Sequence, residues 1–159
     1  MLEILSIESD SIAEELALKP GDRLLSVNGE PVNDLLDYLV VEPEELLQLE
    51  VERSDGEMWE LDIEHDSDEP LGLGLPHPEP KHCGNNCIFC FVHQLPRGMR
   101  KTLYVKDEDY RFSFIDGAYI TLSTLSESDI QRIISQKLSP LYVSVHATDQ
   151  SIRQQLLGN

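Results

Sequence analysis

Three cysteines fall within eight residues, in the run Cys83-Gly84-Asn85-Asn86-Cys87-Ile88-Phe89-Cys90, and the 159-residue chain has no others. An odd, clustered set points to metal or redox chemistry rather than to a disulfide framework. Gly84 and Asn85 let the backbone curl, so the thiolates of this CxxxCxxC spacing converge on one centre. Four thiolates would saturate a 4Fe–4S cluster, whereas three leave one iron without a protein ligand and open to chemistry. A second reading is a structural zinc site of the Cys3His type, with His93 or His82 as fourth ligand. Zinc ribbons usually draw a second ligand pair from a distant turn, and no later cysteine supplies one. A third reading, unliganded core cysteines, suits a Gly-Asn-Asn loop poorly.

The spacing, with the aromatic Phe89 just before the last cysteine, resembles the radical S-adenosylmethionine (radical SAM) superfamily. The resemblance implies that Cys83, Cys87 and Cys90 hold a 4Fe–4S cluster and that Phe89 lies near the adenine of S-adenosylmethionine. It also implies that the amino and carboxylate groups of S-adenosylmethionine chelate the open iron. An electron from the cluster then cleaves the sulfonium to give a 5′-deoxyadenosyl radical. The cofactor carries the hard step, and the protein positions and shields it.

The elements that must hold such a site follow the cysteines. Arg97, Arg100, Lys101 and Lys106 form a basic stretch, suited either to an anion or to a solvated surface. Tyr119 to Ser123 reads as a buried parallel strand, and Ser126-x-x-Asp129 as the cap of a helix with Ile130, Ile133, Ile134 and Leu138 on one face. A second apolar strand runs from Leu141 to His146, and Thr148 or Asp149 caps a last helix carrying Ile152 and Leu156. Alternating strands and helices are the unit of an α/β barrel, in which ligand groups sit at the C-terminal ends of strands. Thr121, Ser123, Ser144 and His146 are therefore candidates to face the cofactor; the alternative for each is a cap, a turn or a core histidine. The superfamily's Gly-Gly-Glu-like sequence has Thr121-Leu122-Ser123 in its place.

The first half of the chain is different material. Residues 1–70 hold 22 acids and 3 bases, and residues 71–159 hold 8 acids and 9 bases, so the net charge of −18 belongs to the first half. Such a surface excludes nucleic-acid or anionic-membrane binding through that half. Met1 to Glu8 reads as a strand, Ser11 as the cap of a short helix to Ala17, and Lys19-Pro20-Gly21-Asp22 as a turn. Arg23 to Val27 follows as a strand, Asn28-Gly29 as a tight turn, and Asn33 as the cap of a helix over 34–40 with Leu35, Leu36 and Leu39 on its apolar side. Leu47, Leu49 and Val51 alternate with polar residues, as do Trp59, Leu61 and Ile63 after Asp55-Gly56, which predicts an antiparallel hairpin with one anionic face.

This order, and the segment SIAEELALKPGDRLLSVNGEPV in particular, resembles the PDZ domain. Leu71-Gly72-Leu73-Gly74-Leu75 is the nearest match to the carboxylate-binding loop, placed last as in circularly permuted bacterial examples. The resemblance implies a peptide or protein ligand bound as an added strand. Pro76, Pro78 and Pro80, which cannot donate edge amides, and the surrounding acids oppose it.

The expected fold class is thus mixed: a small β-rich PDZ-like domain over 1–75, a proline-rich linker over 76–82, and an incomplete radical SAM α/β segment over 83–159. The combination resembles bacterial PDZ-containing radical SAM proteins, including those described as cyanobacterial iron–sulfur oxidoreductases, whose reductant would be a ferredoxin or flavodoxin. A full (β/α)₈ barrel takes about 250 residues, so the chain reads as an N-terminal fragment, able to hold a labile cluster and unable to turn over. No apolar run is long enough for a membrane span, and no signal peptide is visible, which makes the cytoplasm the default location.

Overall fold

The computed structural model describes residues 1–158 and divides the chain into two compact units, Met1–Pro78 and Glu79–Asn159. The first unit is built around one antiparallel sheet. Its elements are β1 (Leu2–Glu3), β2 (Ser6–Ile7), α1 (Ile12–Glu15), β3 (Arg23–Val27), β4 (Glu30–Pro31), α2 (Leu35–Val41), β5 (Leu46–Glu52), β6 (Met58–Glu64) and β7 (Leu73–Gly74). The main sheet runs β1-β3-β5-β6 with β4 on β3, while β2 pairs with β7 separately.

The predicted hairpin is its backbone. In β5 and β6, Leu49 faces Leu61 and Val51 faces Trp59 across the ladder. Leu47, Leu49, Val51 and Ile63 are buried, and burial of each such side chain contributes about 2 kcal/mol. Arg53 lies 3.9 Å above the Trp59 ring. Asn28 and Gly29, both at positive φ, make the tight turn from β3 to β4. Asp22, fully buried, accepts from the amides of Lys19 at 2.9 Å and Ser54 at 3.0 Å and pairs with Arg53 at 3.2 Å. That carboxylate ties the Lys-Pro-Gly-Asp turn to the hairpin's own turn.

Several boundaries differ from the sequence reading, each for a local reason. The first strand is two, because Ile4 leaves the ladder to bury itself and exchanges backbone bonds with Asp22 and Gly21. Helix α1 ends at Glu15, and Ala17 stands beyond it at φ +57°. Asp34, not Asn33, caps α2, accepting from the amides of Leu36 and Asp37 at 3.1 and 3.3 Å. Tyr38 joins Leu35 and Leu36 in the core. Its hydroxyl donates to Glu42 at 2.7 Å, and the same carboxylate oxygen accepts from the amide of Leu71 at 3.2 Å. Burial, with the Glu42 carboxylate second, pushes the Tyr38 phenol far above its ordinary range. The amide at the head of the Leu-Gly-Leu-Gly-Leu segment is thus occupied by a carboxylate from this chain.

The second unit contains a 3₁₀ turn (Lys101–Tyr104), α3 (Tyr110–Asp116), β8 (Tyr119–Ile120), α4 (Glu127–Ser135), β9 (Tyr142–Val143) and α5 (Gln150–Leu157). Strands β8 and β9 are parallel, as the sequence predicts, but each spans only two residues, and of the four only Ile120 is buried, where buried strands are expected. Leu122, at φ +58°, turns the chain out of β8. Two strands do not make a barrel, and none is present among the described residues. The Ser126–Asp129 capping box forms on α4 in both directions. Of its predicted apolar face, Leu138 is buried while Ile130 and Ile134 are exposed. Asp149 caps α5. Helix α3, absent from the sequence reading, starts at Asp109 and stops at Gly117 in the left-handed conformation. No helix among the described residues is long and apolar enough to cross a membrane.

Candidate metal centre

The cysteine loop is gripped along its length. At its entry, His82 and Asp107 form an antiparallel bridge. The Glu108 amide donates to the Lys81 carbonyl at 3.1 Å, and the Cys83 amide to the Lys106 carbonyl at 2.8 Å. Lys81 and His82, inside the predicted linker, are therefore part of the second unit's framework. Lys81 is itself anchored: its amide donates to Asp109 at 3.0 Å and its ammonium pairs with Asp129. Burial opposes ionisation of Asp109. The Arg111 guanidinium and the amides of Lys81 and Arg111 outweigh it and hold the carboxyl below its usual range. Asp129 behaves alike, with burial overcome by Lys81 and Ser126.

In the middle of the loop, Asn85 is buried, and its amide nitrogen donates to Ser123 Oγ at 2.7 Å and Thr121 Oγ1 at 3.2 Å. Thr121 in turn meets the buried Glu108 carboxylate through its amide at 2.6 Å and its hydroxyl at 2.9 Å. The Lys106 ammonium donates to the Asn85 carbonyl. Around Cys87, the amides of Asn86 and Ile88 donate to the carbonyls of Leu157 at 2.9 Å and Leu156 at 3.1 Å. These carbonyls belong to the last turn of α5, which has no intrahelical donors for them. Gly158 then turns away at φ +70° against the Asn86 backbone, where a Cβ would meet the Asn86 carbonyl carbon at 2.8 Å. The Cys90 amide closes a turn onto the Cys87 carbonyl at 3.1 Å. Arg153 of α5 reaches the carbonyls of Val145 and Thr121 and holds the ends of both strands.

A cavity of about 290 Å³ opens on this loop, and all three cysteines line it. Phe89, Thr121, Ser144 and His146 line it too, while Ser123 meets Asn85 and Thr121 instead. The Phe89 and His146 rings stand 4.7 Å apart, tilted by 46°. His146 is exposed at φ +64°, so it is not a core histidine. Of the basic stretch, Lys106 alone is on the cavity wall; Arg97, Arg100 and Lys101 are exposed. His82 and His93 are exposed and do not line the cavity.

Among the described residues, no three Cys, His, Asp or Glu side chains stand ready-made at ligating positions. What the loop provides is three cysteines lining one cavity. Burial pushes the Cys87 thiol up, and the neighbouring charges of Cys83 and Cys90 push it further. A bound cation relieves such a penalty at Cys87, and an all-sulfur donor set selects soft or iron–sulfur centres. The residues present fit such a group.

The sequence profile of a family described as a Radical SAM-like domain matches residues 65–159. The chain belongs to that family. The profile of a PDZ domain matches residues 3–53, which ends before β7. No curated protein matches the sequence. The PDZ-matched sequence and β7 are nonetheless one folded unit, since β7 pairs with β2 from the start of the chain.

Of the residues that build the site, the sequence alone points to the three cysteines, to Phe89, Lys106, Thr121, Ser144 and His146 on the cavity wall, and to Asn85 as a bend in the loop, but not to the side-chain bonds of Asn85 or to Glu108, Arg153 and Gly158. The Gly-Asn-Asn loop was a visible signal for Asn85. For Glu108 and Arg153, whose partners lie 13 and 32 residues away, no local pattern exists.

Proposed function

We propose that the second unit carries a 4Fe–4S cluster on Cys83, Cys87 and Cys90 and binds S-adenosylmethionine at its open iron, as part of a protein performing radical chemistry. The observation that carries the reading is that these three cysteines line one cavity together with an aromatic pair, a lysine and two residues that carry hydroxyl groups. When bound, such a cluster supplies the electron that cleaves a carbon–sulfur bond of S-adenosylmethionine.

Each residue has work suited to its place. Cys83, Cys87 and Cys90 supply three thiolates and leave the fourth position open. Phe89 and His146, tilted by 46° to each other, offer ring faces against which a purine stacks. Ser144, at the C-terminal end of β9, offers a hydroxyl group, Thr121 at the end of β8 has its hydroxyl committed to Glu108, Asn85 and Ser123, and Lys106 offers positive charge to a carboxylate. Buried apolar neighbours such as Val92 limit water at the sulfurs.

The test is electron paramagnetic resonance on the reconstituted, reduced chain with and without S-adenosylmethionine. The reading expects a cluster signal whose g-values change when S-adenosylmethionine is added, with the change weakened in Phe89→Ala. A spectrum that S-adenosylmethionine leaves untouched refutes the proposed binding.

A further inference from the structure

We infer that Asn85 is a positioning residue, which sets the geometry of the cysteine loop by fastening it to the end of β8. The inference rests on the reading of that loop as a metal-holding site. Asn85 sits midway between Cys83 and Cys87 and is only 2% exposed, so its side chain is committed to protein partners. It grips Ser123 in both directions, donating at 2.7 Å and accepting from the hydroxyl at 3.0 Å, and it also donates to Thr121 at 3.2 Å.

These contacts belong to a closed ring. Thr121 is fixed by the Glu108 carboxylate; the Glu108 amide is fixed by the Lys81 carbonyl; and Lys81 leads through His82 into Cys83. Lys106 closes a second, smaller ring. Its carbonyl accepts from the Cys83 amide, and its ammonium donates to the Asn85 carbonyl. The segment from Cys83 to Asn85 is therefore held by its first amide, its last carbonyl and its last side chain. Cys87 begins two residues later, after the Asn86 amide has been taken by α5.

A buried amide with this many partners is over-determined if it merely fills space. Buried polar networks are costly when incomplete and rigid when complete. Here the rigidity is applied between two sulfurs of one set, and Thr121, the network's far end, is on the cavity wall. Partners beyond the ligands orient those ligands and tune the centre they hold.

The experiment compares the full chain with Asn85→Ala, Asn85→Asp and Thr121→Val. Each is loaded anaerobically with iron and sulfide, and each is separately titrated with Co²⁺ alone, whose thiolate charge-transfer absorption reads the sulfurs without cluster chemistry. Asn85→Ala is expected to weaken Co²⁺ binding by about 10- to 100-fold, the usual cost of losing a ligand-orienting group. It should also move the g-values and midpoint potential of the cluster that remains. Asn85→Asp, equal in size but without the two N–H donors, should fall between, and Thr121→Val should shift both readouts the same way with circular dichroism unchanged. Co²⁺ affinity equal to wild type in Asn85→Ala overturns the inference. So does a loss that only tracks the unfolded fraction, with g-values and potential unmoved. A wild-type chain that binds Co²⁺ through its cysteines but takes up no iron and sulfide refutes the proposed function, while the Co²⁺ series still decides the role of Asn85. A wild type that binds neither overturns both.

Discussion

Replacing Gly158 with alanine separates the contribution of α5 to the cysteine loop from the general cost of losing a glycine. Gly158 sits at φ +70°, and Gly98 at φ +86°. Forcing an alanine into the left-handed region costs about 1–2 kcal/mol at either position. At Gly98 nothing lies within 4 Å of the added methyl, so the cost ends there. At Gly158 the methyl would fall on the Asn86 backbone, 2.8 Å from its carbonyl carbon. The end of α5 must then withdraw, and the bonds from the Asn86 and Ile88 amides to Leu157 and Leu156 are put at risk. Each is worth about 1 kcal/mol, so Gly158→Ala should cost about 3 kcal/mol locally. A difference of that size is roughly a hundredfold in an opening equilibrium. Native-state hydrogen exchange on the Asn86 and Ile88 amides reads it directly. Both should exchange on the order of a hundredfold faster in Gly158→Ala and be nearly unchanged in Gly98→Ala. Equal exchange at these amides in the two variants would refute the claim that α5 holds the loop around Cys87.

Three further outcomes follow from other parts of the chain. Asp109→Asn removes the carboxylate of a largely buried ion pair with Arg111 and should cost about 3 kcal/mol in denaturant unfolding at neutral pH. Because the folded state holds the Asp109 carboxyl below its ordinary value of about 4, its contribution is complete above that pH and is lost as pH falls through the lower folded value; Asp109→Asn should flatten that acid limb in a pH series. Glu42→Ala strands the buried Tyr38 hydroxyl and the Leu71 amide together and should cost about 2–3 kcal/mol, whereas Glu42→Gln keeps an acceptor oxygen for both and should cost less than about 1, as chemical denaturation followed by Trp59 fluorescence would register. Leu49→Ala, at the fully buried centre of the hairpin, should cost about 3 kcal/mol by the same assay.

Much of this architecture is legible because its causes are local. Alternation over Leu47 to Ile63 dictates a two-faced hairpin. Asp55-Gly56 marks its turn, Asn28-Gly29 marks the tight turn from β3 to β4, and Ser126 with Asp129 announces the start of α4. The cysteine spacing carries the site itself. Other features depend on choices that local chemistry leaves open. Asn33 and Asp34 are adjacent caps of equal type, and tertiary packing selects the second. The aromatics of Tyr110-Arg111-Phe112-Ser113-Phe114 alternate as a strand would, yet Asp109 and Gly117 bracket them as a helix; those brackets were the better signal. Strands β8 and β9 are short, and the chain takes positive φ after them at Leu122 and at His146 despite the apolar runs. The residues that hold the loop were the least visible. Asn85 meets Ser123 across 38 residues, and the Asn86 amide meets Leu157 across a longer span still. A polar residue in a loop reads as solvated until its distant partners are known.

Proline and acid mark the passage between the two units, and the charge divides there as well. The acidic surface of the first unit follows from its hairpin, whose outward residues include Glu50, Glu60, Asp62 and Glu64. It favours solubility and discourages anionic partners. In the same unit the Leu71 amide holds the Glu42 carboxylate.

The central claim is that Cys83, Cys87 and Cys90 together hold one cluster. Iron and acid-labile sulfide counted per chain after anaerobic reconstitution, in the wild type and in Cys83→Ala, Cys87→Ala and Cys90→Ala, test it most directly. The account predicts about four irons and four sulfides in the wild type and loss of both in every single variant. One tightly bound zinc with no sulfide, or a cluster that survives Cys87→Ala, would contradict it.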